Sequence, residues 1–106
     1  MVKCQTPTVN CQTMGEVRHE IDRIDRALVA LLAERQTYIE QAGLIKGERD
    51  AVIDQPRIED VIAKVLAESD AQGLSRDIAE PVWRLLMDRS IAHEFAVFDA
   101  KKKAAG

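Results

Sequence analysis

Aromatic side chains make up only 4% of this chain, and there are just 5 glycines and 3 prolines. Strands draw on aromatic and β-branched residues, and β-rich folds place glycine and proline at their many turns. This scarcity disfavours an all-β architecture and leaves helices. No apolar run approaches the ~18 residues that a spanning helix needs, and the opening MVKCQTPTVNCQTMGE carries no signal-peptide core. The sequence therefore predicts a cytoplasmic protein with no membrane partner. Excess positive charge is also missing. The net charge of −3 and pI near 5.4 exclude general attraction to nucleic acid or anionic membranes, so any anion site must be local. Cys4 and Cys11 are the only cysteines, and both precede the first periodic segment without a His or second Cys pair at ligand spacing. They read as free thiols in a tail, with neither a disulfide nor a metal role.

What is present is 46% hydrophobic and 31% charged residues in 106 positions, the balance of one soluble globular domain with a limited core. Residues 1–13 are polar and aperiodic and read as a mobile N-terminal tail. From Met14 to about Arg49 apolar residues recur in fours and threes with no proline, which predicts one long helix with Gly43 as its weak interior point. Residues 47–55 form a short loop. A second helix starts at Pro56, presents Ile58, Val61, Ile62, Val65 and Leu66 on one face, and ends at Gly73 with Leu74 following. Ser75 caps a third helix running to about Asp99, with a kink or restart expected near Glu80 because of Pro81. The folded domain spans 14–100. The end KKKAAG, 101–106, reads as a solvated cationic tail.

The architecture is thus all-α, three helices per chain with one long first helix. That helix would be ~50 Å long at 1.5 Å per residue, against a radius of gyration of ~13 Å for a compact domain of this size. Its own chain cannot cover it, and a second copy is the simplest cover. The expected assembly is an intertwined homodimer.

Two cations break the apolar stripe of the first helix. On a wheel of ~100° per residue centred on Arg35, the residues Val17, Ile21, Ile24, Leu28, Leu31, Leu32, Ile39 and Ala42 lie within about 60° of it. Lys46 lies there too, at about 20°. The third helix repeats the pattern, because Ser90 and Glu94 share the seam of Trp83, Met87 and Val97. Charges in a seam need partners, since a lone buried ion costs several kcal/mol. Each cation either pairs with a protein acid, snorkels to solvent, or meets a ligand. Two or more cations against one acid leave positive charge to spare, and guanidinium groups match carboxylates in bidentate fashion, so the ligand reading points to a small dicarboxylate. His19 and His93 have no nearby Ser, Cys or metal-spacing partner. His93 lies on the apolar side as a packed or hydrogen-bonded residue.

The segment VRHEIDRIDRALVALLAERQTYIEQAGLIK, then VIDQPR, then LLMDRSIAHE, resembles the all-helical class of chorismate mutases and the related isochorismate-pyruvate lyases over residues 16–98. The resemblance lies in the combination of an early Arg, IDRID, LLAER, a Lys eleven residues after the Arg of LLAER, and an Arg at the loop-helix junction. It implies a dimer with two active sites shared between subunits, and a place in aromatic amino acid biosynthesis. By position, Arg18 matches the arginine that reaches into the partner's site, and Arg35 and Arg57 match carboxylate-binding arginines. Lys46 matches the lysine at the ether oxygen, Ser90 a polar neighbour of the substrate, Asp54 a loop acid near the ring hydroxyl, and Glu94 the usual Gln.

The implied reaction is the rearrangement of chorismate to prephenate within one molecule, which needs no cofactor, metal or nucleophile. Arginines would select the compact conformer, and Lys46 would stabilise the charge growing on the ether oxygen. An ionised Glu94 would repel that charge, so Glu94 would have to act in its protonated, hydrogen-bond-donating form. Three features depart from the common mutase pattern. Ile58 follows Arg57 where mutases carry Glu, the spacing from Lys46 to Arg57 resembles the lyases, as does Tyr38, and Glu94 replaces Gln. Asp54 and Ser90 favour the mutase, lyase activity is the alternative, and a catalytically silent helical dimerisation or regulatory module is the third reading.

Overall fold

The computed structural model describes residues 8–105, and the regular elements among them are helices, with no strand. Helix α1 spans Met14–Ile45, α2 spans Gln55–Gln72 and α3 spans Arg76–Ala105, with a 3₁₀ turn at Arg49–Val52 between the first two. Cys4 and the start of the expected tail lie outside the described residues, as does Gly106. Within α1 the chain divides into two compact units, one up to Thr37 and one from Tyr38 onward.

In the first unit, α1 starts on a capping box. The Thr13 hydroxyl accepts from the Glu16 amide at 3.1 Å, and the Glu16 carboxylate accepts from the amides of Thr13 at 3.1 Å and Gln12 at 2.7 Å. Amide donors that a helix start leaves unpaired are thereby satisfied. The apolar stripe then appears where the periodicity put it, and Ile21, Ile24, Leu28, Leu31 and Leu32 are all exposed. Cys11 is a free thiol.

The second unit holds the last turns of α1 with α2 and α3. Asp54 caps α2 by accepting from the Arg57 amide at 3.1 Å, Pro56 occupies the first turn, and Gly73 closes the helix in the left-handed region at φ 78°. The Ser69 carbonyl accepts from Gly73 and, at 2.8 Å, from Leu74. Only a residue without a Cβ adopts that backbone freely, so Gly73 sets the turn. The chain then returns antiparallel. Arg84 of α3 donates to both carboxylate oxygens of Glu59 at 3.2 Å, and Arg76, nearer the turn, grips Asp70 at 3.0 and 2.7 Å. Hydrogen bonds from these arginines hold Glu59 and Asp70 below the usual carboxylate range. Exposed pairs add little stability, so their contribution is to register. Ile62, Ala79, Val52 and Phe98 form the buried apolar core.

Three boundaries differ from the sequence reading. Helix α1 ends at Ile45 rather than near Arg49, so Lys46 lies just past its last turn, although its amide still donates to the Ala42 carbonyl at 3.0 Å. Helix α3 runs through Pro81 without a restart, because the ring sits in its second turn, where the one missing N–H leaves a carbonyl near the exposed helix start. It also continues to Ala105, so residues 101–105 of the expected tail are helical, with Lys102 and Lys103 placed favourably at the negative end of the helix dipole. No described helix is long and apolar enough to cross a membrane.

Candidate active site

The two seam residues with opposite charge meet. Lys46 Nζ lies 2.7 Å from Glu94 Oε2, with the Glu94 residue 5% exposed and the Lys46 side chain 30% exposed. Oε2 has no hydrogen-bond partner of good geometry among the described residues, so the contact is an ion pair rather than an aligned hydrogen bond. A buried acceptor held only by charge is one that a better donor could take over.

Gly43 makes the meeting possible. It is the one buried residue of α1, and a Cβ at its position would stand 3.1 Å from the Glu94 carbonyl and 3.2 Å from Val97 Cγ1. The last turn of α1 therefore rests directly on the α3 backbone, one turn ahead of Lys46. Beside it, His93 Nε2 lies 2.7 Å from Glu40 Oε2, which makes His93 a hydrogen-bonded, half-buried residue as its place in the seam suggested.

Ser90 sits one turn before Glu94 on α3, and its hydroxyl donates to the Leu86 carbonyl at 2.6 Å. At the start of α2, Asp54 uses Oδ1 as the helix cap, and Arg57 reaches Asp60 at 2.9 Å with its side chain 60% exposed. Arg18 and Arg35 belong to the first unit. Arg18 is exposed, while Arg35 is half-buried, and burial pushes its guanidinium below the usual arginine range without threatening its charge at neutral pH. Of the seven residues singled out from sequence, the structure joins Lys46 to Glu94 directly and Asp54 to Arg57 through the cap.

Arg49 was not anticipated. Its guanidinium donates to both oxygens of Asp99, at 3.1 and 3.4 Å, and lies 4.3 Å from the centre of the Phe95 ring, so it straps the loop after Lys46 to α3.

Residues 17–95 match the chorismate mutase type II family. The chain belongs to that family. Among its relatives are the T-protein of Haemophilus influenzae, 35% identical over 86 residues, and the T-protein of Enterobacter agglomerans, 33% identical over 79 residues. These matches cover 78% and 74% of this chain but 22% and 21% of the T-proteins, so the chain spans about a fifth of their length. The matched stretch of this chorismate mutase type II domain contains Arg18, Arg35, Lys46, Asp54, Arg57, Ser90 and Glu94.

Proposed function

We propose that this chain is a chorismate mutase, rearranging chorismate to prephenate in sites built by a homodimer. The observation that carries this reading is the Lys46–Glu94 pair, a partly exposed cation against a buried acid without a good hydrogen bond, in a chain of the chorismate mutase type II family. The reaction breaks the ether carbon–oxygen bond and forms a carbon–carbon bond through one cyclic transition state, with no group added or lost. Arg35 and Arg57, with Arg18 of the partner, would hold the two carboxylates and keep the enolpyruvyl tail over the ring. Lys46 would then turn from Glu94 to the ether oxygen, where negative charge grows and the ammonium is worth more in the transition state than before it. The exposed stripe Ile21, Ile24, Leu28, Leu31 and Leu32 supports the dimer, since a second copy of α1 would bury it.

Incubation with chorismate and, separately, with isochorismate tests the reading by its product. Prephenate from chorismate is the expected result. Salicylate and pyruvate from isochorismate would instead establish the lyase, which Ile58 after Arg57 and the spacing to Lys46 favour. Conversion of neither, with no rise in melting temperature on adding a dicarboxylate transition-state analogue, would leave Lys46–Glu94 as the internal ion pair of a silent module.

Glu94→Gln tests the acid of the pair separately. The amide can donate a hydrogen bond where a carboxylate can only accept, so the variant should keep activity. A folded Glu94→Gln protein without activity would remove Glu94 from the donor role.

A further inference from the structure

The third helix ends in three lysines, and the first of them does something specific. Lys101 Nζ donates to the main-chain carbonyl of Lys46 at 2.7 Å and to that of Leu44 at 3.0 Å. The same ammonium stands 4.5 Å from the centre of the Phe98 ring, a side chain 1% exposed and so fixed in the core. Helix α1 has no basic residue in its own last turn, and Gly47 follows Lys46 directly. The terminal carbonyls of α1, which need donors and carry the negative end of the helix dipole, are thus capped by a cation from α3.

We infer that Lys101 is a positioning residue for Lys46, clamping the backbone from which the reactive ammonium extends. The inference rests on the proposed mutase reading. Three points on the Lys46 segment are then tied to α3. Gly43 rests on the Glu94 carbonyl, Lys101 holds the carbonyls at 44 and 46, and Arg49 is bound to Asp99 over Phe95. Lys46 follows the last turn of α1, where a helix end otherwise frays. Its side chain alone is free to exchange Glu94 for a ligand, while its Cα is held. Such a clamp acts on the transition state, where small displacements of a charged group are costly, more than on the affinity for substrate.

The test compares Lys101→Met, which keeps a stem over Phe98 but loses the charge, with Lys101→Arg, which keeps cationic donors, and with Lys102→Met on the exposed neighbour. For folded Lys101→Met, kcat should fall about tenfold with KM changed less than about twofold, because the lost contact serves an interaction made in the transition state. Lys101→Arg should restore most of kcat, and Lys102→Met should match the wild type. A folded Lys101→Met with kcat within about twofold of wild type, or an equal loss in Lys102→Met, overturns the inference. If Lys101→Met does not fold, Lys101→Gln is read by the same criteria. A wild type that does not convert chorismate would refute the proposed function rather than the clamp. Amide hydrogen exchange then decides. Faster exchange confined to residues 44–50 in Lys101→Met, with α2 unchanged, upholds the clamp, and unchanged exchange there overturns it.

Discussion

Lys46→Ala is expected to lower kcat/KM for chorismate by about 10²–10³-fold, the usual cost of removing one preorganised donor at a developing oxyanion. It should also destabilise the fold, for a separate reason. Glu94 is buried, and without Lys46 its carboxylate keeps the desolvation cost and loses the compensating charge. Because Lys46 is itself 30% exposed, the loss should sit below the full value for a buried pair, at about 2–3 kcal/mol, or roughly 10 °C in Tm for a domain of this size. Adding Glu94→Gln to Lys46→Ala separates the two effects. The neutral amide removes the stranded charge, so stability should return while activity does not. A Lys46→Ala protein retaining more than about a tenth of wild-type activity would displace Lys46 from the ether oxygen. A stable but inactive one would show that the ion pair contributes nothing to folding.

Arg18→Ala and Lys46→Ala, each inactive alone, should regain activity when mixed. If each site takes Lys46 from one subunit and Arg18 from its partner, a heterodimer of the two variants has one intact site and one doubly defective site. Random exchange makes half of all dimers heterodimers, so recovery should approach about one quarter of wild-type activity. Arg18 suits such a role because it is exposed on the capped end of α1, on a unit whose apolar stripe is also exposed. Mass measurement after mixing establishes that exchange has taken place. No recovery in verified heterodimers would mean that each subunit completes its own site, and a folded protein sedimenting as a single chain would remove the dimer altogether.

Periodicity carried most of the fold, and where it fell short the cause was local. The α2 face, its glycine stop and the α3 seam all stand where fours and threes put them, because burial in a helical hairpin follows side-chain spacing. The end of α1 was overrun because Lys46 continues both the stripe and the amide bonding, while the backbone leaves the helix beside Gly47. The Thr13–Glu16 box is legible as T-x-x-E, but it stands ahead of Val17, the first residue of the wheel's apolar stripe, so periodicity does not mark it. For the site, spacing placed Lys46 and Glu94 in two seams, but which turns face each other depends on Gly43, whose missing side chain sets how closely α1 approaches α3. Lys101 could not be read at all. Its partners are main-chain carbonyls, which every residue possesses, so no letter of the sequence marks them.

The capping box has a practical consequence for where this domain can be cut. The family match begins at residue 17, yet Thr13 and Glu16, which close the first turn of α1, lie before it. A fragment trimmed to the matched boundary would lose the cap, at about 1 kcal/mol of helix stability. It would also put Arg18 in the opening turn, where a cation faces the positive end of the helix dipole. Fraying would begin beside Arg18, the residue proposed to complete the partner's site. Low mutase activity in such a fragment would then reflect the trimming.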